Sequence, residues 1–194
     1  MKIRTAEIED AEQLLEIYAP YVKETAITFE YEVPSLDEFM ERISNISVKY
    51  PYLVIEQDGE ILGYAYAGMF HERKAYDWAV EVSIYLKKDK RGNGLGKKLY
   101  DMLERVLKEQ NILNVNACIA YTEHEDKYLT NGSEKFHEHM GYRLVGKFTK
   151  CGYKFDRWYD MIWMEKHIGE HLNNQPPVKL FSEIKEEIKI KYGI

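Results

Sequence analysis

Cysteine is scarce in this chain: Cys118 and Cys151 are the only two in 194 residues, and no CxxC pair occurs. That excludes a disulfide-framed scaffold and a zinc-ribbon pattern, and it suits a reducing compartment. Long apolar runs are missing too. Nothing approaches the ~18 consecutive apolar residues needed to span a bilayer, and the opening "MKIRTAEIED" lacks the apolar centre of a secretory signal. Positive charge is not in excess either: 27 Lys and Arg stand against 33 Asp and Glu, for a net charge of −6, with no Lys/Arg block. A polyanionic partner such as nucleic acid is therefore not expected. No internal repeat is present. Together these absences point to a soluble, cytosolic protein with neither membrane nor nucleic acid as partner.

What remains is enough for a core. Hydrophobic residues make up 45% and aromatics 13%, with 16 Tyr, a composition that folds rather than stays disordered. The length suits one domain with a tail.

Hydrophobic periodicity gives the order of elements. "KIRTA" reads as a strand, and "DAEQLLEIYAPYV" as a helix with Asp10 as N-cap and Pro20 near its end. "PSLDEFMERISNI" begins a second helix, with Ser35 as cap and Glu38 at capping-box spacing. The period then changes to two. "YLVIEQDGEILGYAYAGM" is two strands around Asp58-Gly59, a type I′ hairpin signal. "WAVEVSIYL" alternates Val80, Val82, Ile84 and Leu86 against Glu81, Ser83 and Tyr85. Leu95, Leu99, Met102, Leu103, Val106 and Leu107 then form the stripe of a helix lying on a sheet. "VNACIA", a short helix "SEKFHEHMGY" ending at Gly141, and the strands "RLVGKFT" and "RWYDMIWME" follow. The expectation is an α/β or α+β domain around a mixed sheet. Pro176-Pro177 breaks the chain, and "VKLFSEIKEEIKIKYGI" beyond it reads as an appendage, helix or packed strand.

The stretch "KRGNGLGKKLYDML" puts three glycines immediately before a helix, where unpaired N–H groups and the helix dipole favour an anion. A Walker loop would need GxxxxGK[ST], and no hydroxyl follows the lysine. A dinucleotide fold would need GxGxxG after the first strand with an acid ~20 residues on, whereas the spacing here is GxGxG, with Asn114, Val115 and Asn116 where the acid should stand. A plain connecting turn remains as the third reading.

The surrounding "WAVEVSIYLKKDKRGNGLGKKLYDML" resembles the acyl-CoA-binding segment of the GNAT superfamily of N-acetyltransferases, whose loop pattern [QR]xxGx[GA] is matched by Arg91, Gly94 and Gly96. "IYAPYVKETAITFEYEVPS", "ERKAYDWAVEVSIYL", "KFHEHMGYRLVGKF" and "GYKFDRWYDMIWMEK" are similar, in order, to blocks of its phosphinothricin acetyltransferase group, which also holds acetyltransferases for methionine sulfoximine, methionine sulfone and some free amino acids. The resemblance implies a GNAT-like, mostly antiparallel central sheet flanked by helices over residues 1–166, with 167–194 as a C-terminal extension. It also implies acetyl-CoA as co-substrate, no metal, a small amine or amino acid as partner, direct attack without a covalent enzyme intermediate, and a homodimer.

Residue roles come from the same resemblance. The loop Arg91, Gly92, Asn93, Gly94, Leu95, Gly96 and Lys97 would hold the donor's pyrophosphate, and backbone N–H groups in Ile84, Tyr85 and Leu86 would face the thioester. Glu81 aligns with the group's glutamate that takes the ammonium proton, a task burial favours by raising a carboxyl pKa. His137 stands where many members carry a tyrosine that protonates the departing thiolate. An asparagine and a serine near the cofactor, usually three apart, correspond to Asn131 and Ser133, two apart here after a lengthened "YTEHEDKYL". Phe29, Glu30, Arg73, Tyr76 and Trp158 fall in the segments that build the amine pocket, and the guanidinium of Arg73 suits a carboxylate or phosphinate. "HIGEH", His167 to His171, matches the HxxEH zinc pattern, but Gly169 and the nearby proline pair disfavour the helix that pattern needs. "EHED", Glu123 to Asp126, reads as a solvated loop. The rival readings are a GNAT enzyme for a polyamine, aminoglycoside or protein N-terminus, and a catalytically silent acyl-CoA sensor.

Overall fold

The computed structural model describes residues 1–194. The order is β1 (Lys2–Thr5), α1 (Ala11–Glu24), α2 (Leu36–Lys49), β2 (Tyr52–Gln57), β3 (Glu60–Met69), β4 (Ala79–Leu86), α3 (Leu95–Glu109), β5 (Asn114–Tyr121), α4 (Gly132–His139), β6 (Arg143–Lys154), β7 (Arg157–His167) and α5 (Phe181–Tyr192). One seven-stranded sheet runs β1-β2-β3-β4-β5-β7-β6. Every pairing is antiparallel except β4 with β5. That single parallel pair is joined through α3, as a crossover requires.

Strand alternation decides what each face meets. Val80, Val82, Val115, Ala117 and Ile119 turn to the side of α3, whose Leu95, Leu99, Leu103, Val106 and Leu107 complete the larger core. Tyr52, Val54 and Tyr64 turn to the other side and pack against α1 and α2. Asp58 and Gly59 both adopt positive φ, 53° and 81°, so the β2–β3 turn is the one its sequence demands.

Several local expectations differ. Asp10 holds the N-cap position of α1 without a side-chain bond to that helix; its carboxylate takes Arg4 at 2.6 and 2.8 Å and the Glu7 N–H at 2.8 Å. Pro20 lies near the end of α1, as expected, but inside it: burial of Tyr21 and Val22 outweighs one missing N–H, and the helix runs on to Glu24. Ser35 accepts from the Glu38 N–H at 3.2 Å, while the Glu38 carboxylate turns to Arg42, so half of the capping box forms. β6 runs five residues past "RLVGKFT", to Lys154. The segment beyond Pro176-Pro177 is helical, and Phe181, Ile184 and Ile188 of α5 enter the larger core. It is tied down by the Trp78 indole N–H to the Pro176 carbonyl at 2.8 Å and by the Gln110 amide to the carbonyls of Lys49 and Lys179.

Candidate active site

β4 and β5 pair only over Ala79–Glu81 against Asn114–Asn116 and then part. Which peptides face the gap follows from the β3 side. The Lys87 N–H donates to the Leu62 carbonyl at 2.9 Å, so antiparallel alternation turns the peptides of Tyr85, Ser83 and Glu81 toward β3 and those of Leu86, Ile84 and Val82 toward the gap. The gap is a slot of about 60 Å³ whose walls include Ser83, Ile84, Cys118, Ser133 and His137. Of the three amides expected to face a thioester, only Ile84 is open to it. Tyr85 is turned to β3, and the Tyr21 hydroxyl accepts from the Leu86 N–H at 3.0 Å and donates to its carbonyl at 2.7 Å. Val82 joins Ile84 on the open edge.

Next to the slot wall at Ile84, whose side chain would be 3.4 Å from a Gly96 Cβ, stands the glycine loop. Gly92 and Gly94 have φ of 79° and 74°, a region side chains resist. Gly94 opens α3 without a side-chain cap, and the first helical bond is Lys98 N–H to the Gly94 carbonyl. The N–H groups of Leu95, Gly96 and Lys97 therefore have no partner within the helix, the makings of an anion site. Asn93 is exposed beside them. Gly96 is glycine for another reason: a Cβ there would lie 3.1 Å from the Phe136 ring, so its absence lets α3 pack on α4. Lys97 pairs with Asp101 at 2.6 Å. Arg91 is free of carboxylates and lies over the Tyr21 ring, 4.7 Å from its centroid. A narrow slot with open peptides, ending in bare amides and a cation, fits an extended arm carrying a diphosphate.

Glu81 sits where the β4–β5 pairing ends, opposite Gly68 of β3 and beside Asn116 of β5. Nothing lies within 4 Å of where a Gly68 Cβ would be, so the carboxylate borders open space. Burial raises its pKa, and no ion pair opposes that. Cys118 lines the slot on the same face; burial, then the nearby Glu81 charge, pushes its thiol up to about 12. It stays protonated at neutral pH and is a poor nucleophile.

His137 is buried on the slot wall, and burial pushes its pKa down to about 4. Its Nδ1 is 2.7 Å from the Ser133 carbonyl, which only accepts, so Nδ1 carries the proton. Nε2 then accepts from the Tyr100 hydroxyl at 3.1 Å. In this tautomer the slot-facing pair has no imidazolium, and the expected role of His137 as direct proton donor does not match it. Asn131 is also otherwise engaged: its amide closes on Thr122 N–H and carbonyl at 3.3 and 2.8 Å, holding the loop before α4. The lengthened segment thus takes that side chain off the slot, while Ser133 stays on it.

The acceptor-side residues divide. Arg73 and Tyr76 lie in the β3–β4 loop that leads into the strand bearing Glu81, beside a concavity of about 620 Å³. Tyr76 meets Phe70, which meets Trp163 edge-on at 5.5 Å, in the cross-sheet row of Cys118. Glu30 is engaged by Arg42 at 2.8 Å and the Tyr18 hydroxyl at 3.0 Å, and holds its loop. Phe29 packs on Gly152, whose Cβ would fall 2.3 Å from the ring. Trp158 is far from Glu81. It lies seven residues along β7 from Glu165, which shares a row with Asn116 and Glu81, about 23 Å at the usual strand rise.

Comparison with known proteins agrees with this geometry. The family described as acetyltransferase (GNAT) domain matches residues 3–163. The chain belongs to the GNAT acetyltransferase family. It is 30% identical over 166 residues to phosphinothricin N-acetyltransferase of Streptomyces viridochromogenes, covering 86% of this chain and 87% of that one. It is 28% identical over 172 residues to the L-methionine sulfoximine/L-methionine sulfone acetyltransferase of Salmonella typhimurium, covering 88% and 96%. Among solved structures, a GNAT phosphinothricin acetyltransferase from Sinorhizobium meliloti in complex with acetyl-CoA superposes with a TM-score of 0.81 at 31% identity, over 93% of this chain and 97% of that one. The chain is thus an acetyl-CoA-dependent N-acetyltransferase with the GNAT fold.

Within this GNAT site, Tyr21, Tyr100, Val82, Cys118 and Trp163 were missed from sequence. Only Trp163 carried a usable signal: alternation along "RWYDMIWME" places it on the face opposite Ile162 and Met164.

Proposed function

We propose that this enzyme acetylates the primary amine of a small amino acid or close analogue, of the phosphinothricin or methionine sulfoximine kind, by direct attack with both substrates bound. The observation that carries the proposal is Glu81: a carboxylate with its pKa raised by burial, bordering open space where the slot begins. The relatives' activities support that acceptor class.

Acetyl-CoA supplies the activated thioester; the rest is done by the chain. The bare amides of α3 and Arg91 hold the anionic end of the donor. The Ile84 and Val82 peptides guide the arm, and the outward N–H of Ile84 is the donor available to a developing oxyanion. Glu81 removes the proton of the acceptor ammonium, directly or through one water. Arg73 offers a guanidinium fork to the acceptor's carboxylate or phosphinate. His137 acts through Tyr100: held as a neutral acceptor, it orients a slot-side hydroxyl that can turn to hydrogen-bond the departing sulfur. Direct attack needs no acyl-cysteine, and the raised thiol pKa of Cys118 accords with that. Both cysteines are unpaired, which suits a reducing cytoplasm. The exposed Leu144, Val145 and Phe148 of edge strand β6 suit a homodimer contact.

A thiol-release assay with acetyl-CoA tests this against phosphinothricin, methionine sulfoximine, methionine sulfone, free amino acids and polyamines. Turnover confined to amino-acid-like acceptors is expected. Turnover only on polyamines, or binding of acetyl-CoA with no turnover at all, would overturn the acceptor assignment.

A further inference from the structure

The cations around the glycine loop are not equivalent. Lys88 pairs with Glu24, Lys90 with Asp89 and Lys97 with Asp101, while Lys98 reaches only the Met1 sulfur and meets no aromatic ring. Arg91 pairs with no carboxylate and lies instead over the face of Tyr21, 4.7 Å from the ring centroid. Tyr21 is held at both its ring and its hydroxyl. It is 5% exposed on α1, its ring meets Tyr85 edge-on at 5.0 Å, and its hydroxyl makes both hydrogen bonds to the Leu86 peptide, the last outward peptide of β4.

We propose that Tyr21 is a positioning residue for the diphosphate of the acyl donor, seating the Arg91 guanidinium at the end of the slot. The chemistry favours this arrangement. Stacking occupies the face of a guanidinium and leaves its five N–H donors in the plane, where phosphate oxygens can take them. A carboxylate partner would occupy those donors, and the structure gives Arg91 none. The hydroxyl adds the second constraint: with both Leu86 groups taken, the donor's arm finds its strand partners only from Ile84 inward. The bare amides of the glycine loop, beyond Leu86, are left for the diphosphate end. Tyr21 thus ties α1 to the end of β4, over 65 residues of sequence, and carries Arg91 on its ring beyond it.

This inference rests on acetyl-CoA as the donor, and the test separates the two. Calorimetric titration of CoA and of pantetheine, which lacks the diphosphate, gives a ratio of dissociation constants for each variant. Tyr21→Leu should shrink the advantage of CoA over pantetheine by about three- to tenfold, the worth of a cation–π seat, with pantetheine binding unchanged. Tyr21→Phe, which keeps the ring, should hold the ratio within about twofold of wild type. An equal loss for both ligands in Tyr21→Leu, or no loss, overturns the seat; so does a fall in Tyr21→Phe as large as in Tyr21→Leu, which would assign the effect to the hydroxyl. If Tyr21→Leu does not fold, Arg91→Lys keeps the charge at an exposed position without the stacking plane. Its ratio falls under the proposal and stays at the wild-type value if charge alone matters. Wild-type protein that binds no CoA would instead overturn the donor reading.

Discussion

Burial acts on Glu81 and His137 in the same sense, against charge, and the consequences differ. Glu81 serves as a base only when ionised, and its pKa is raised above the ordinary 4.5. The acid limb of kcat/KM should therefore lie above that value, with activity lost as pH falls through the raised pKa. For His137 the folded pKa drops from 6.5 to about 4, so the unfolded chain binds an extra proton between those two values. Stability is then full above pH 6.5 and declines as pH falls toward 4, by on the order of 3 kcal/mol from this group. Thermal unfolding across that window should show the slope, and His137→Gln should lose most of it; an unchanged slope would place its cause elsewhere. Both residues are legible in the sequence because the family resemblance assigns each a role, which it does not do for the tyrosines of the same blocks. Tyr100 and Tyr21 are not, since their partners lie 37 and 65 positions away and no neighbouring residue marks either tyrosine as having a distant partner.

Elements whose reasons are local can be read directly. The Asp58-Gly59 hairpin and the α3 stripe need only turn chemistry and period. Gly94 belongs with them: at φ 74°, Gly94→Ala should cost about 1–2 kcal/mol and weaken acetyl-CoA binding, measurable by denaturation and calorimetry together. Retained stability and affinity would contradict the role given to the loop. α5 shows the opposite case. Its pattern is ambiguous because its fate depends on a surface made by α2, α3 and the strands, which no window of sequence contains. As Ile184 is 4% exposed, Ile184→Ala should destabilise the whole molecule by about 2–5 kcal/mol, whereas a loosely attached tail would show almost no change. Asn131 differs again: the two-residue interval to Ser133 puts its amide on Thr122 instead of the slot, which the spacing hints at and only the loop's path decides.

For the molecule as a whole, the decisive feature is the parting of β4 from β5, which alternation alone does not foretell. It opens an edge of free peptides in the interior of the sheet and leaves Glu81 at the point where the two strands part; under the proposed function that point is the junction of donor and acceptor. Edge strand β6 carries Val145 and Phe148 at 59% and 57% exposure. Sedimentation is expected to give twice the mass of one chain, with Phe148→Lys shifting it toward the monomer; a monomer at all concentrations would exclude the dimer. Whether Glu81 is the base at that junction is decided by kcat/KM for an amino-acid acceptor across pH 5 to 9 in wild type and Glu81→Gln. A loss of about 10²- to 10⁴-fold is expected in the variant, together with disappearance of the wild-type acid limb. A variant within a few-fold of wild type, with the same limb, would show that Glu81 is not the base.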